Sequence, residues 1–339
     1  MNKTVSVIIP CYNGERFIDR CLNSVVLQDY PYIEIIIVND GSTDNSEDKI
    51  LSWKKELEHT ERSLIYISQE NKGPAAAVNT GLKYVSGEYI SLLDIDDEYL
   101  PGAISSRVNY LNHHCDVDVV RSNGWYVKGS NRSLFINDED EKNIKDVFSA
   151  LIEGKTNNWA GSYTIRTSAF FEFYPDGEIF QSRYGQNLQI LLPLVYRKKC
   201  GYIDEPQMNY NQQENSLSKT TADNQKEFLL ANQKGYQEIR EYMINLIVRD
   251  EKEKELFFLL VKKLYLRSSM QIALTFNDVC LMRNSFSELK GMKPLLIDDY
   301  ITYCRLLHPK AILFLRLFRK IKTLSVRLLH KRTDTQKQQ

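Results

Sequence analysis

Three carboxylates fall within four residues at Asp94-Ile95-Asp96-Asp97, directly after the apolar run YISLL. A carboxylate at a strand end, followed by another two positions on, can aim two oxygens to one side of a tight turn. Hard divalent cations such as Mg²⁺ or Mn²⁺ take oxygen ligands and often share them with substrate phosphates. Such an ion offsets the charge that develops on a departing diphosphate. An acidic turn on a surface loop is ordinarily just solvated, so the D-x-D pattern draws its meaning from its place after a buried strand.

Two further polar clusters repeat this placement. Asn39-Asp40-Gly41-Ser42-Thr43-Asp44 follows the apolar run IEIIIV. Gly41 permits a sharp turn, and Ser42 or Thr43 is expected to cap the next helix. Asp40 stands where a carboxylate could accept from a base or ribose. Asn71-Lys72-Gly73-Pro74 follows a third run, with Lys72 set to meet a phosphate and small residues after it that allow close helix packing. The cluster lacks both the phosphate-loop lysine pattern and G-x-G-x-x-G, which counts against ATPase and dinucleotide-binding readings.

The elements that must position these clusters follow from the pattern. Strands are expected at Val5–Pro10, Ile33–Val38, Leu64–Ser68 and Tyr89–Leu93. Helices are expected at Glu15–Gln28, Thr43–Leu57 and Pro74–Val85. Continuous β-branched runs alternating with helices indicate an α/β fold, with a mostly parallel central sheet covered on both faces. Ligands bind beyond the carboxyl ends of such strands, where all the polar clusters fall. From about 115 to 215 the aromatic-rich pattern reads as strands and loops that finish the sheet and build an acceptor wall, with a helix at Gln186–Lys198. From about 222 the chain reads as wholly helical.

Length and charge bound the rest. A chain of 339 residues, 42% hydrophobic and 26% charged, is an ordinary globular composition. Its net charge of zero is unevenly spread: residues 301–339 hold ten Lys or Arg and one acid, net +9, leaving net −9 on residues 1–300. The six cysteines are scattered without a CxxC pair, which predicts reduced thiols. With no signal-peptide architecture and no apolar stretch long enough to span a bilayer, a cytoplasmic location is expected.

The blocks VSVIIPCYNGERFIDRCLNSVVLQ, VNDGSTDNS, NKGPAAAVNTG and LLDIDD, in this order, resemble the family-2 glycosyltransferases of the GT-A fold over about residues 4–215. The resemblance implies a nucleotide-sugar donor and a divalent metal, Mn²⁺ or Mg²⁺. Carried over by position, Pro10, Tyr12 and Asn13 line the base pocket, and Asp40 accepts from the uracil or ribose. Lys72 sits near the nucleotide, Asp94 faces the ribose with Ile95 beside it, and Asp96 is both catalytic and the metal ligand. Asp97 supports them.

Two positions depart from the family. Val78 stands where many members have Arg. The acidic Glu-Asp pair that supplies the general base is here Gln186-Asn187, and an amide cannot take a proton near neutral pH. Three explanations stay open: Asp176 or Glu178 serves as base, with Glu178 favoured; the amides, Asn187 in particular, only position the acceptor; or the chain is an inactive relative. The expected domains are a GT-A glycosyltransferase domain over 1–220, a helical C-terminal region over 221–332, and a disordered tail over 333–339.

The expected function is sugar transfer from a UDP-linked donor to a saccharide or lipid-linked acceptor in bacterial surface polysaccharide synthesis. The alternative is a catalytically silent nucleotide-sugar-binding subunit of an assembly complex. Within 309–332, Phe314, Leu317, Ile321, Leu324 and Leu328 form one helical stripe among basic residues. That pattern predicts peripheral contact with an anionic membrane, on the inner face of the cell membrane, and no nucleic-acid partner.

Overall fold

The computed structural model describes residues 3–58, 60, 62–212 and 225–309. The chain folds as two compact units, one of Met1–Lys219 with Glu238–Phe257, the other of Thr220–Gln237 with Phe258–Gln339.

The first unit is built on a nine-stranded sheet. Its strands are β1 (Val5–Cys11), β2 (Ile33–Asp40), β3 (Ser63–Gln69), β4 (Tyr89–Leu92), β5 (Glu98–Tyr99), β6 (Val119–Lys128), β7 (Asn131–Leu134), β8 (Tyr163–Arg166) and β9 (Gly201–Asn211). They lie in the order β3-β2-β1-β4-β8-β6-β9-β5, with β7 paired to β6. The first four run parallel, β8 runs against its neighbours, and β6 and β9 are parallel to each other. The carboxyl ends of β1, β2, β3, β4, β6 and β9 therefore share one edge of the sheet.

Burial explains the parallel half. Every residue of β2 is buried, so the run IEIIIVND must be covered on both faces. Helices α1 (Ile18–Val26), α2 (Ser46–Leu57) and α3 (Pro74–Leu82) provide that cover. In α1, Ile18, Cys21, Leu22 and Val25 are buried at spacings of three, one and three, which is one helical stripe. Pro74 opens α3 at a position where its missing N–H costs nothing. Gly81 lets α3 approach β1 closely, since a Cβ there would lie 2.6 Å from Ile8 Cγ2.

The remaining helices of the α/β region are α4 (Ala103–His113), α5 (Glu139–Lys142), α6 (Val147–Ile152), α7 (Thr167–Phe173) and α8 (Gln186–Val195). Residues 115–215 are thus not strands and loops alone. Four-, six- and seven-residue helices are too short to display a 3.6-residue repeat in the sequence.

The long helices α9 (Gln225–Ile247) and α10 (Glu251–Thr275) are followed by α11 (Val279–Gly291) and α12 (Ile297–Leu307). The first unit extends past the expected boundary at 220 to take in Glu238–Phe257, because apolar side chains there enter its core. Phe257 meets Phe148 with ring centroids 5.0 Å apart, and Tyr174 donates to Met243 Sδ. The second unit has its own core of Leu266, Met270, Ala273, Met282, Phe286 and Leu289. The basic stripe at 310–332 and the tail at 333–339 lie outside the described residues.

Candidate active site

The acidic segment forms a tight turn in which Asp97 N–H donates to Asp94 C=O at 3.0 Å. Elements distant in sequence pin it. Arg20, on α1, donates to the Asp96 carbonyl, as does Asn211 Nδ2 at 3.1 Å from the end of β9. Asn211 N–H also donates to Asp97 Oδ1 at 2.8 Å, while Asp97 Oδ2 is buried without a partner among the described residues. Ile95 is buried in the core beneath Gly14, where an added Cβ would lie 2.9 Å from Ile95 Cγ1.

Three carboxyls confined in this way disfavour one another's charge. Burial pushes Asp94 up to about 7, with Asp96 adding to the effect. Burial also raises Asp96, and it raises Asp97 well above the usual carboxylate range with help from Asp96 and Asp94. A divalent cation would offset that repulsion, and carboxylate oxygens are the donors such an ion takes, so the residues fit a hard metal ion. Among the described residues no three His, Cys, Asp or Glu side chains form a ready-made cage. Mg²⁺-type ions use one or two carboxylates and complete their shell from phosphates and water.

The loops after β1 and β2 are stitched to each other. Asn13 N–H donates to Ser42 Oγ at 2.9 Å, Gly14 N–H to Ser46 Oγ at 2.9 Å, and Thr43 N–H to Asn13 Oδ1 at 2.8 Å. Ser42 and Thr43 therefore do not cap α2, whose N-cap is Asn45 with no side-chain bond. Their hydroxyls and the Thr43 amide serve the neighbouring loop instead, while Ser42 N–H donates to Asn39 Oδ1 at 3.0 Å. Pro10 is half-buried between the buried Ile9 and Cys11 near the end of β1, and Tyr12 is exposed on the loop beyond it.

Asp40 is buried at the end of β2. Its Oδ1 accepts from Lys72 N–H at 2.9 Å and Gln69 Nε2 at 2.7 Å, and its Oδ2 accepts from Gly73 N–H at 2.8 Å. The carboxylate so holds the start of α3 against the sheet, with Lys72 exposed beside it. Val78, the position where many relatives carry Arg, is fully buried.

The structure does not bring Glu178 to this edge. Glu178 pairs with Lys83 at 3.0 Å, past the C-terminal end of α3, whereas the N-terminal end of α3 meets Asp40. The adjoining Ile179 is clamped to Asn79 by two hydrogen bonds of 2.8 and 2.9 Å. Asp176 is exposed in the same segment. Nearness to Gln186 in the sequence favours Glu178 as base, but α3 carries that segment away from the acidic turn. Asn187, by contrast, is buried and accepts from Tyr163 Oη at 2.7 Å. Tyr163 begins β8 beside the end of β4, and its phenol is raised by burial, with Asp94 adding to the effect. Arg20, Asn211 and Tyr163 have no signal in the sequence, because each reaches the site from a separate element.

The sequence profile described as "Glycosyl transferase family 2" matches residues 6–178. The chain belongs to this family. Within it, the chain is 36% identical over 143 residues to an uncharacterized glycosyltransferase of Rickettsia typhi, covering 42% of this chain and 43% of that one. The chain thus spans less than half the length of that curated relative. Its fold is similar to that of residues 1–349 of Staphylococcus aureus TarS in complex with UDP-GlcNAc, at TM-score 0.59 and 18% identity, covering 94% of this chain and 87% of that one. A similar likeness holds to the mannosyltransferase PcManGT of Pyrobaculum calidifontis in complex with GDP-Man and Mn²⁺, at TM-score 0.57 and 17% identity, covering 97% and 86%. The family-2 member therefore has the GT-A fold.

Proposed function

We propose that the chain transfers a sugar from a UDP-linked donor to a saccharide or lipid-linked acceptor in bacterial surface polysaccharide synthesis. The observation that carries this reading is the turn Asp94–Asp97, three mutually repelling carboxyls at the carboxyl edge of a parallel sheet. In the proposed arrangement Asp96 holds Mn²⁺ or Mg²⁺, with Asp97 behind it and Asp94 facing the ribose. When bound, the ion would neutralise charge on the leaving diphosphate. Tyr12 and Asn13 border the base, while Asp40 orders Lys72 and the N-terminus of α3, whose positive end suits a diphosphate. The Mn²⁺ and nucleotide-sugar complexes of the two structural neighbours support the same assignment.

A second reading, a nucleotide-sugar-binding subunit without transfer, draws on Asn187. Its amide is held by Tyr163 where a base is expected, and it cannot accept a proton. One experiment separates the two. Thermal shift with UDP and Mn²⁺ on the wild type should show stabilisation, about 2.7 kcal/mol at a ligand concentration a hundred times Kd. Asp96→Ala should lose the metal-dependent part. UDP release from a panel of UDP-sugars then decides between turnover and silent binding. A UDP shift that ignores both Mn²⁺ and Asp96 would overturn the proposed site.

A further inference from the structure

An aromatic cluster lies beside the acidic turn and takes no part in the donor reading. Tyr126 on β6 and Tyr210 on β9 are register partners across a parallel pair, with ring centroids 5.9 Å apart at 81°. Trp159 stands on both, 4.8 Å from Tyr210 and 6.3 Å from Tyr126, and its Nε1 donates to Tyr126 Oη at 2.9 Å. All three rings are partly exposed. Tyr210 packs on the hydrophobic core, but Trp159 does not join it.

The loop bearing Trp159 is fixed from both sides. Before it, Arg121 donates to the carbonyl and side-chain oxygens of Asn157 at 3.1 and 3.0 Å. After it, Gly161 N–H donates to Leu92 C=O, two residues ahead of Asp94. The residue following Tyr210 is Asn211, which bonds Asp97 and the Asp96 carbonyl. The cluster is therefore linked to the acidic turn along two short paths, each closed by a hydrogen bond.

Partly exposed rings held in place by one another suit one class of ligand. One face of a pyranose presents C–H bonds with partial positive charge, which the negative face of an aromatic ring attracts, while its hydroxyls stay in water or meet polar tips. Because Tyr126 Oη accepts from Trp159, its own proton can be given to a ligand oxygen. We propose that Trp159, Tyr126 and Tyr210 form the acceptor subsite, on which a pyranose ring stacks next to the donor. The subsite rests on the transferase reading above.

Saturation-transfer NMR tests it, with the methyl β-pyranosides of glucose, galactose and N-acetylglucosamine as probes and ribitol as a polyol without a ring. With UDP and Mn²⁺ present, at least one pyranoside should receive saturation from the aromatic protons, and ribitol should not. Trp159→Ala should weaken that pyranoside about tenfold. Trp159→Phe, which keeps a ring, should retain much of the signal. UDP-dependent thermal shift is measured on the same samples. If it survives in wild type and variants while no pyranoside gives a signal, or while Trp159→Ala gives the wild-type signal, the donor reading stands and the subsite falls. Ribitol transfer equal to that of the pyranosides would also overturn stacking. Absence of any UDP shift in the wild type would remove the donor reading and the subsite with it.

Discussion

Asp97 is 1% exposed, gives one oxygen to Asn211 N–H, and leaves the other without a partner among the described residues. A carboxylate in that position is costly to ionise, and Asp94 and Asp96 beside it make it more so. The consequence for stability has a definite sign. With Asp94 near 7 in the folded chain and 3.8 as the ordinary value, the folded state binds more protons between those limits. Stability of the metal-free protein should therefore fall as pH rises through that window. In EDTA, unfolding should occur at a higher temperature near pH 5.5 than near pH 7.5. Asp94→Asn should stabilise the metal-free protein at the higher pH by up to a few kcal/mol, since it removes a buried charge. Added Mn²⁺ should stabilise the wild type more at the higher pH, where its ligands are ionised. An unfolding temperature in EDTA that rises with pH would contradict the argument. The acids themselves are legible as a sequence block, but their fasteners are not. Arg20 and Asn211 lie 76 and 115 residues from Asp96, and no local pattern encodes such a pairing.

At the scale of elements, the loops are held by polar side chains that bridge from one strand end to the next. Asp40 joins β2 to the start of α3 through two backbone N–H groups and Gln69. Gly41 follows at φ +69°, where an added Cβ would also lie 2.7 Å from Asn71 N. Asp40→Ala should strand buried donors and cost on the order of 3 kcal/mol, seen as a thermal midpoint several degrees lower. It should weaken UDP binding as well, because Lys72 and Gly73 lose their anchor. If the midpoint is unchanged while UDP binding is lost, the carboxylate belongs to the ligand rather than the loop. The parallel strands are legible because residues buried on both faces give unbroken apolar runs, as in β1 and β2. Helix starts are less so: α1 begins at Ile18 rather than Glu15, because Gly14 C=O takes Phe17 N–H and Ile18 N–H in a turn first. The direction of α3, which removes Glu178 from the site, becomes visible only once the strands are paired.

At the scale of the whole molecule the distribution of charge is the feature that the fold does not absorb. Residues 301–339 carry net +9 against net −9 for the rest, with no acid between Asp299 and Asp334. Among the described residues no helix is long and apolar enough to cross a membrane. A basic segment with the stripe Phe314, Leu317, Ile321, Leu324 and Leu328 is the composition that binds an anionic bilayer surface, each Lys or Arg near it contributing about 1 kcal/mol. Such contact would hold the chain at an anionic membrane surface. The full chain should therefore sediment with phosphatidylglycerol-containing vesicles and not with neutral phosphatidylcholine ones. Added salt should release it, because screening acts over about 10 Å at 0.1 M. A chain ending at Pro309, which keeps α12 whole, should lose this binding while keeping its UDP shift. Replacing Arg316, Arg319, Lys320 and Lys322 with Gln in the full chain should weaken it at least tenfold and leave the apolar stripe in place. If the shortened chain binds these vesicles as well as the full one does, the basic segment is not the membrane contact.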